Sequence, residues 1–457
     1  MNVATSADLA PRAPTLGEAS VVWAKIGLLS FGGPAGQIAL MHKELVEERR
    51  WIAESRFLHA LNFCMLLPGP EAQQLATYIG WLLHGTKGGI IAGALFVIPG
   101  FVVITVLSAL YALFHEAGWL ASLFFGLKAA VLAIVVEAVI RVGRRALKNG
   151  VMLAIAAVAF AALFAFDMPF PVVVLLAGLV GFVGVRLNPA LFSPARHKML
   201  APDLASVIGE GFAKASPPFT ATLRTLAIWV GLWLAPLLVI VPALGWSSTF
   251  GTLWLFFSQM AMVTFGGAYA VLAYVAQEAV QNFGWLQPGE MVDGLALAET
   301  TPGPLVMVLS FVGFLAAYRD PAGLDPLLAG LLGGTLTTWV TFVPCFLWIF
   351  LGAPYIEKLR SNRELSGALS AITAAVVGVI LNLAIWFGLH VLFREVGSLE
   401  AGPIRVAIPH LPTVNWAAVA LSVVAVVCLF RLKLGITWTL AVCGGLGLLA
   451  MLLPLQP

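Results

Sequence analysis

The sequence predicts an all-α integral membrane protein, a polytopic helical bundle of two inverted repeats whose helices break at Pro-Gly-Pro and Phe-Gly-Gly motifs. Three observations lead there. The 457 residues are 60% hydrophobic and 10% charged, with a mean hydropathy of +0.97, whereas a water-soluble domain carries about 25% charged residues. The chain also repeats itself, residue i matching residue i + 234 at several ordered motifs. Finally, Lys and Arg are divided unequally between corresponding loops of the two repeats, and such an excess marks the cytoplasmic side.

Residues 1–16 carry Arg12 as their only basic side chain and no continuous apolar run. They read as a disordered lead and not as a signal peptide. Residues 17–187 form the first repeat. Residues 188–224, with Pro189, Pro194, Arg196, Lys198, Pro217 and Pro218, form a basic cytoplasmic linker punctuated by proline. Residues 225–457 hold an extra crossing near 225–245 and then the second repeat. Spanning helices need about 20 apolar residues each, so roughly ten crossings fit and no sizeable soluble domain does.

The repeat superposes Phe31-Gly32-Gly33 on Phe265-Gly266-Gly267, Glu44 on Glu278, Trp51 on Trp285, and Pro68-Gly69-Pro70 on Pro302-Gly303-Pro304. After an insertion around Arg319 to Asp325, a shift of 245 aligns Gly85, Gly88, Gly89 and Pro99 with Gly330, Gly333, Gly334 and Pro344. Loop 41–56 holds Lys43, Arg49, Arg50 and Arg56, while its partner 275–290 holds no Lys or Arg. Equivalent loops are therefore expected on opposite sides, with the extra crossing supplying the inversion. The basic clusters around Arg141 to Lys148, Lys358 to Arg363, and Arg431 to Lys433 then all face the cytoplasm. That assignment requires segments 57–83 and 290–317 to enter and leave on one side, turning at Pro-Gly-Pro with arms of about 16 to 21 Å. The Phe-Gly-Gly segments are either re-entrant or kinked full spans.

Inverted repeats with broken helices are typical of secondary transporters, with the substrate held near the midplane between them. Proline ends one arm at each Pro-Gly-Pro and opens the next, leaving the amides of Glu71, Ala72 and Gln73 without helical acceptors. With the helix dipole, such amides attract anions. Leu305, Val306 and Met307 repeat this from the other half. Gln73, Gln74, Thr300 and Thr301 carry donors for an oxyanion, or else satisfy backbone groups freed by the breaks. Glu71 reads equally as a dipole-stabilised helix cap.

The runs LPGPEAQQLATYIGW (67–81), SFGGPAGQIALM (30–41), TFGGAYAVLAYV (264–275) and AETTPGPLVMVLSFVGF (298–314) resemble the long-chain, two-domain form of the chromate ion transporter family. The resemblance covers nearly the whole chain. It implies a carrier of the bacterial inner membrane that exports chromate and confers chromate resistance, with sulfate as the structural analogue. The residues by themselves reach only an oxyanion-compatible carrier. An anion channel or sulfate carrier on the same repeats is the alternative, followed by a membrane-embedded reductase, which has no redox motif in its favour.

The candidate substrate-binding set is Gly32, Gly33, Pro68, Gly69, Pro70, Glu71, Gln73, Gln74, Gly266, Gly267, Thr300, Thr301, Pro302, Gly303, Pro304 and Lys128. Charges at membrane depth are presumptively functional. Lys128 lies about 13 Å along its helix, where it either attracts a dianion or partners a helix-end carbonyl or carboxylate. Glu137 lies on the opposite face of that helix and cannot pair with it. Lys25 is expected to snorkel. Glu299 sits at the carboxyl end of its arm, where the dipole disfavours negative charge, which makes it the coupling candidate. Its repeat partner is Met65.

Cys64, Cys345, Cys428 and Cys443 stand singly in apolar stretches and read as packing residues. No phosphate-binding loop, nucleophile elbow or zinc-protease motif occurs, so ATP-driven pumping and hydrolysis find no support. No cofactor, resident metal or nucleic acid is expected. The bilayer, chromate and its analogue sulfate are the expected partners, with the coupling ion and a homo-oligomeric assembly left open.

Overall fold

The computed structural model describes residues 11–115, 117–192, 205–209, 217–265, 268–355, 363–402 and 404–452. The first half consists of α1 (Leu16–Leu29), α2 (Gly33–His42), α3 (Glu54–Cys64), α4 (Glu71–Phe114), α5 (Gly118–Ala146), α6 (Gly150–Phe166), α7 (Phe170–Leu187) and the short α8 (Pro189–Phe192). The connecting pair α9 (Phe219–Leu234) and α10 (Leu237–Leu244) follows. The second half comprises α11 (Thr249–Val263), α12 (Ala268–Gln277), α13 (Pro288–Thr300), α14 (Val308–Arg319), α15 (Pro326–Gly352), α16 (Arg363–Leu392), the hairpin β1–β2 (Val396–Ala401 and Ile404–Pro409), α17 (Trp416–Val426) and α18 (Ile436–Leu452). Six described segments are long and apolar enough to cross a membrane, including Glu71–Phe114, Gly118–Ala146 and Arg363–Leu392. This is a multi-pass membrane protein.

Two boundaries differ from the sequence expectation. Leu16 already belongs to α1, because Thr15 and Glu18 form a reciprocal capping box that starts the helix there. Helix α9 begins at Phe219, inside the stretch read as linker, where Pro218 precedes its first turn. The remaining linker residues 193–204 and 210–216, the lead residues 1–10, Gly266 and Gly267 lie outside the described residues. Within the linker, Ile208 bridges to Ile52 in loop 41–56.

The breaks fall where the motifs stand. Helix α3 stops at Cys64 and α4 starts at Glu71, α13 stops at Thr300 before a 3-10 turn at Leu305–Met307, and α1 stops at Leu29 before α2 begins at Gly33. Helix α4 is itself a hairpin, because His84 and Gly85 leave helical geometry, Gly85 at φ +64°. Its two arms run antiparallel, with a Cβ on Gly80 falling 2.5 Å from the Gly88 carbonyl. Helices α14 and α15 form the corresponding pair, where a Cβ on Gly313 would lie 2.9 Å from the Gly333 carbonyl. Glycine at these crossings permits backbone contact that any side chain would prevent.

The halves are interlocked, not side by side. Helix α16 packs on α6 and α7 of the first half, and α5 packs on α17 and α18 of the second. A Cβ on Gly181 would collide with Ala371 and Ala368, and one on Gly447 with Gly126. The two-stranded hairpin departs from the all-α expectation. It pairs Val396 with Pro409 through Ala401 with Ile404 and turns at Gly402.

Lys25 reaches out of α1 to a loop carboxylate. Its Nζ lies 2.5 Å from Oε1 of the buried Glu44, which Arg49 also contacts. Burial pushes the Glu44 carboxyl up, but the Lys25 hydrogen bond and the Arg49 and Lys25 charges outweigh it and hold the group below the usual carboxylate range. All four cysteines are buried and free.

Candidate functional site

The two Pro-Gly-Pro turns are each held by the other half. Gly69 N–H donates to the Thr264 carbonyl and Gly303 N–H donates to the Ser30 carbonyl, both at 2.8 Å. Ser30 and Thr264 immediately precede the two Phe-Gly-Gly motifs, so the bonds are themselves related by the shift of 234. Each turn also rests on the opposite half's long hairpin arm. A Cβ on Gly69 would lie 2.7 Å from Cys345 Sγ, and one on Gly303 3.2 Å from the Phe96 carbonyl and 3.4 Å from Gly100 Cα. Gly100 and Cys345 are again repeat partners. Gly69 adopts φ +124° and Gly303 φ +85°, conformations that a side chain would strain. On the second turn, Gln37 Nε2 donates to the Gly303 carbonyl at 2.6 Å.

The turns differ in access. Thr301, Pro302, Gly303 and Pro304 are all buried. Pro68 is half-buried, and Gly69 and Glu71 line a cavity of about 350 Å³. Pro34, two residues after Gly32, and Tyr269 contribute the N-terminal ends of α2 and α12 to the same cavity, and Gly33 approaches the Tyr269 hydroxyl. The other wall is basic, formed by Arg141, Arg145 and Lys148. Arg141 is paired with Glu137 on its own helix at 3.4 Å, and Arg145 approaches Met65 Sδ at 3.5 Å. With Arg141 paired to Glu137, Arg145 and Lys148 still outnumber Glu71 and make the cavity attractive to anions. Sequence reasoning assigned these basic residues to topology only, because nothing local joins the end of α5 to a turn some 75 residues earlier.

The expected oxyanion donors are largely occupied. Gln74 Nε2 donates to the Pro68 carbonyl at 2.7 Å, and Gln73 Nε2 to Thr77 Oγ1 at 3.1 Å. The hydroxyls of Thr300 and Thr301 both donate to the Leu297 carbonyl. These side chains hold the broken backbone together. The first amides of α4, which starts at the cavity-lining Glu71, are left as donors without helical acceptors.

Glu299 is buried, and its Oε1 accepts from the Tyr269 hydroxyl at 2.7 Å while its Oε2 has no partner. Since Tyr269 lines the cavity, one hydroxyl separates Glu299 from it. Tyr269 was not singled out from sequence, although it lies two residues after Phe265-Gly266-Gly267. Lys128 lies elsewhere. Its Nζ is 3.3 Å from Asp293 Oδ2, which also accepts from the Tyr111 hydroxyl at 2.9 Å. The structure does not bring Lys128 to either turn. Asp293, five residues into α13, supplies the carboxylate partner.

The fold is thus that of a multi-pass membrane protein whose two halves exchange contacts at paired helix breaks, with a basic cavity reaching one of them. The family model described as "Chromate transporter" matches residues 18–182 and 251–448. The chain belongs to the chromate transporter family. It is 34% identical over 360 residues to the "Chromate transport protein" of Pseudomonas aeruginosa, covering 78% of this chain and 77% of that one. It is 28% identical over 368 residues to the "Probable chromate transport protein" of Synechococcus elongatus, covering 80% and 82%. It is 28% identical over 384 residues to the "Chromate transport protein" of Cupriavidus metallidurans, covering 83% and 85%. No solved structure matches.

Proposed function

We propose that this protein is a secondary carrier that exports chromate across a bacterial inner membrane and so confers chromate resistance, with sulfate as a competing oxyanion. The observation that carries the reading is the cavity that leads from Arg141, Arg145 and Lys148 to Gly69 and Glu71. A tetrahedral dianion entering it passes a field of positive charge before meeting the free amides at the start of α4.

The two halves are read as inverted repeats, with the Pro-Gly-Pro segments re-entrant. The reciprocal bonds Gly69 to Thr264 and Gly303 to Ser30 fit a two-fold relation between the halves, and the unequal basic content of loops 41–56 and 275–290 argues for the inverted form. The first turn reaches the basic cavity through Gly69 while the second is buried, an asymmetry that fits alternating access. Basic loops lie on the cytoplasmic side in this reading. Single cysteines at Glu47 and Gln281 are expected to react with impermeant thiol reagents from opposite faces. Reaction from one common face would remove the inversion.

Glu299 is the proposed coupling group, reached through Tyr269 from the cavity. Chromate uptake into inverted vesicles under imposed proton gradients, with sulfate as competitor, tests the function. Saturable uptake with counterflow is expected, and a non-saturating flux would make the protein a channel. In the same assay Glu299→Gln is expected to keep chromate binding and flatten the pH dependence of transport. An unchanged pH profile and proton flux in that variant would make Glu299 structural.

A further inference from the structure

Helix α13 carries two buried carboxylates, Asp293 and Glu299, and the coupling role proposed above uses only the second. They stand about 9 Å apart along the helix, and their settings match. A tyrosine hydroxyl donates to one oxygen of each, Tyr111 to Asp293 Oδ2 at 2.9 Å and Tyr269 to Glu299 Oε1 at 2.7 Å. The other oxygens, Asp293 Oδ1 and Glu299 Oε2, are buried with no hydrogen-bond partner among the described residues. Buried polar atoms are nearly always bonded, and an ionisable group orphaned at membrane depth is by default a functional one.

The fold does not demand these acids. Under the shift of 234, α3 carries Arg56, His59 and Met65 where α13 carries Glu290, Asp293 and Glu299. The same stations are thus filled by bases and a thioether in the first repeat, and the acids belong to one arm only. Around Asp293, α5 supplies Lys128, with Nζ 3.3 Å from Oδ2, and α4 supplies Tyr111. Glu290, one turn earlier on α13, is paired with Arg319 of α14 at 2.6 Å. Helix α16 holds Glu364 in its first turn and His390 in its last, and α18 has Cys443 as its titratable residue. Lys128 is partly exposed, and its Nζ lies 3.0 Å from where a Cβ on Gly289 would stand, in the first turn of α13. The ion pair therefore reaches the surface of the molecule.

Resting on the carrier reading above, we infer that Asp293 is a second proton-carrying group of the transport cycle, and that its ion pair with Lys128 breaks and reforms as the proton binds and leaves. The proton binds a lone pair of the bare Oδ1. The carboxyl is then neutral, and the charge-assisted tie between α13 and α5 weakens to an ordinary hydrogen bond. Helix α13 leads into the buried turn at 302–304, so loosening its tie frees the segment that must move for that turn to open. Loss of the proton restores the pair and the closed arrangement. A metal cation does not suit the site, since hard cations take about six oxygen ligands, whereas Asp293 and Tyr111 offer only their own oxygens beside an ammonium that repels a cation.

The test is the chromate gradient that proteoliposomes sustain from an imposed pH gradient with the membrane voltage clamped at zero, which counts the protons moved per chromate. In Asp293→Asn the count is expected to fall by about one, lowering the sustained gradient about tenfold per unit of imposed pH difference. Chromate-for-chromate exchange should persist in this variant, because the turn at Gly69 and the basic cavity are untouched. An unchanged count in a variant that still exchanges chromate would overturn the inference. So would a parent protein whose chromate gradient follows an imposed sodium gradient and not the pH gradient. If Asp293→Asn does not insert, its combination with Lys128→Met, which removes both charges, replaces it. If neither inserts, Glu299→Gln decides, since Asp293 should still support proton-driven accumulation there and its complete loss would overturn the inference. Absence of saturable chromate flux in the parent protein would instead overturn the carrier reading itself.

Discussion

Leucine in place of Gly69 is expected to reduce chromate flux below detection while the protein still reaches the membrane. At φ +124° the position lies where only glycine is comfortable, and a side chain there costs about 1–3 kcal/mol in backbone strain. A Cβ would also stand 2.7 Å from both Cys345 Sγ and Gln74 Nε2. Neither can move freely, because Gln74 holds the Pro68 carbonyl and Cys345 is buried inside α15. The bond from Gly69 to Thr264 and the aim of the first α4 amides change together. Gly303→Leu is expected to act in the same way, since Phe96 and Gly100 backbone atoms lie 3.2 and 3.4 Å from its added carbon. Gly32→Ala is the control. Its φ of +81° strains a side chain, but nothing stands within 4 Å, so a loss of about 1 kcal/mol and a working carrier are expected. Vesicle uptake beside immunodetection in the membrane fraction measures all three. Normal transport by both leucine variants would reduce the turns to hinges.

Lys128→Met is expected to lower stability by about 3 kcal/mol, the low end for breaking a buried pair because Lys128 itself is partly exposed. Asp293 is 4% exposed, and without the ammonium its charge has only the Tyr111 hydroxyl nearby. Pairing Lys128→Met with Asp293→Asn removes both charges while keeping an acceptor for Tyr111, and should restore most of the loss. Thermal unfolding in detergent of the two single variants and the double variant measures this coupling. An unchanged melting temperature in Lys128→Met, together with a raised chromate half-saturation, would return Lys128 to the substrate path.

Much of the architecture was legible because membrane insertion makes local sequence decisive. Twenty-residue apolar runs must become helices in lipid, since no water is present to satisfy an open backbone. Proline and glycine then mark breaks by steric exclusion, so the ends at Cys64, Thr300 and Leu29 follow from the motifs. The hairpin at 396–409 was missed, although Val396 and then Ile404, Val406 and Ile408 lie on either side of Gly402 with partial alternation. The site was less legible than the fold. Glu299 and Gly69 stood out through depth and repetition, whereas Tyr269, Arg145 and Asp293 acquire their roles only through partners on other helices.

By itself the sequence determined the membrane class, the duplication, the positions of the breaks and the family, because hydropathy, backbone restriction and repetition are local or self-referential properties. Only the tertiary structure decided that each turn is held by the opposite half, that Lys128 is neutralised by Asp293, and that the basic end of α5 faces the Gly69 turn. The physical reason is the exchange of packing between halves. Once α5 lies on α17 and α18, and α16 on α6 and α7, contacts form between residues some hundreds of positions apart, and no period or spacing in one chain encodes which of them meet.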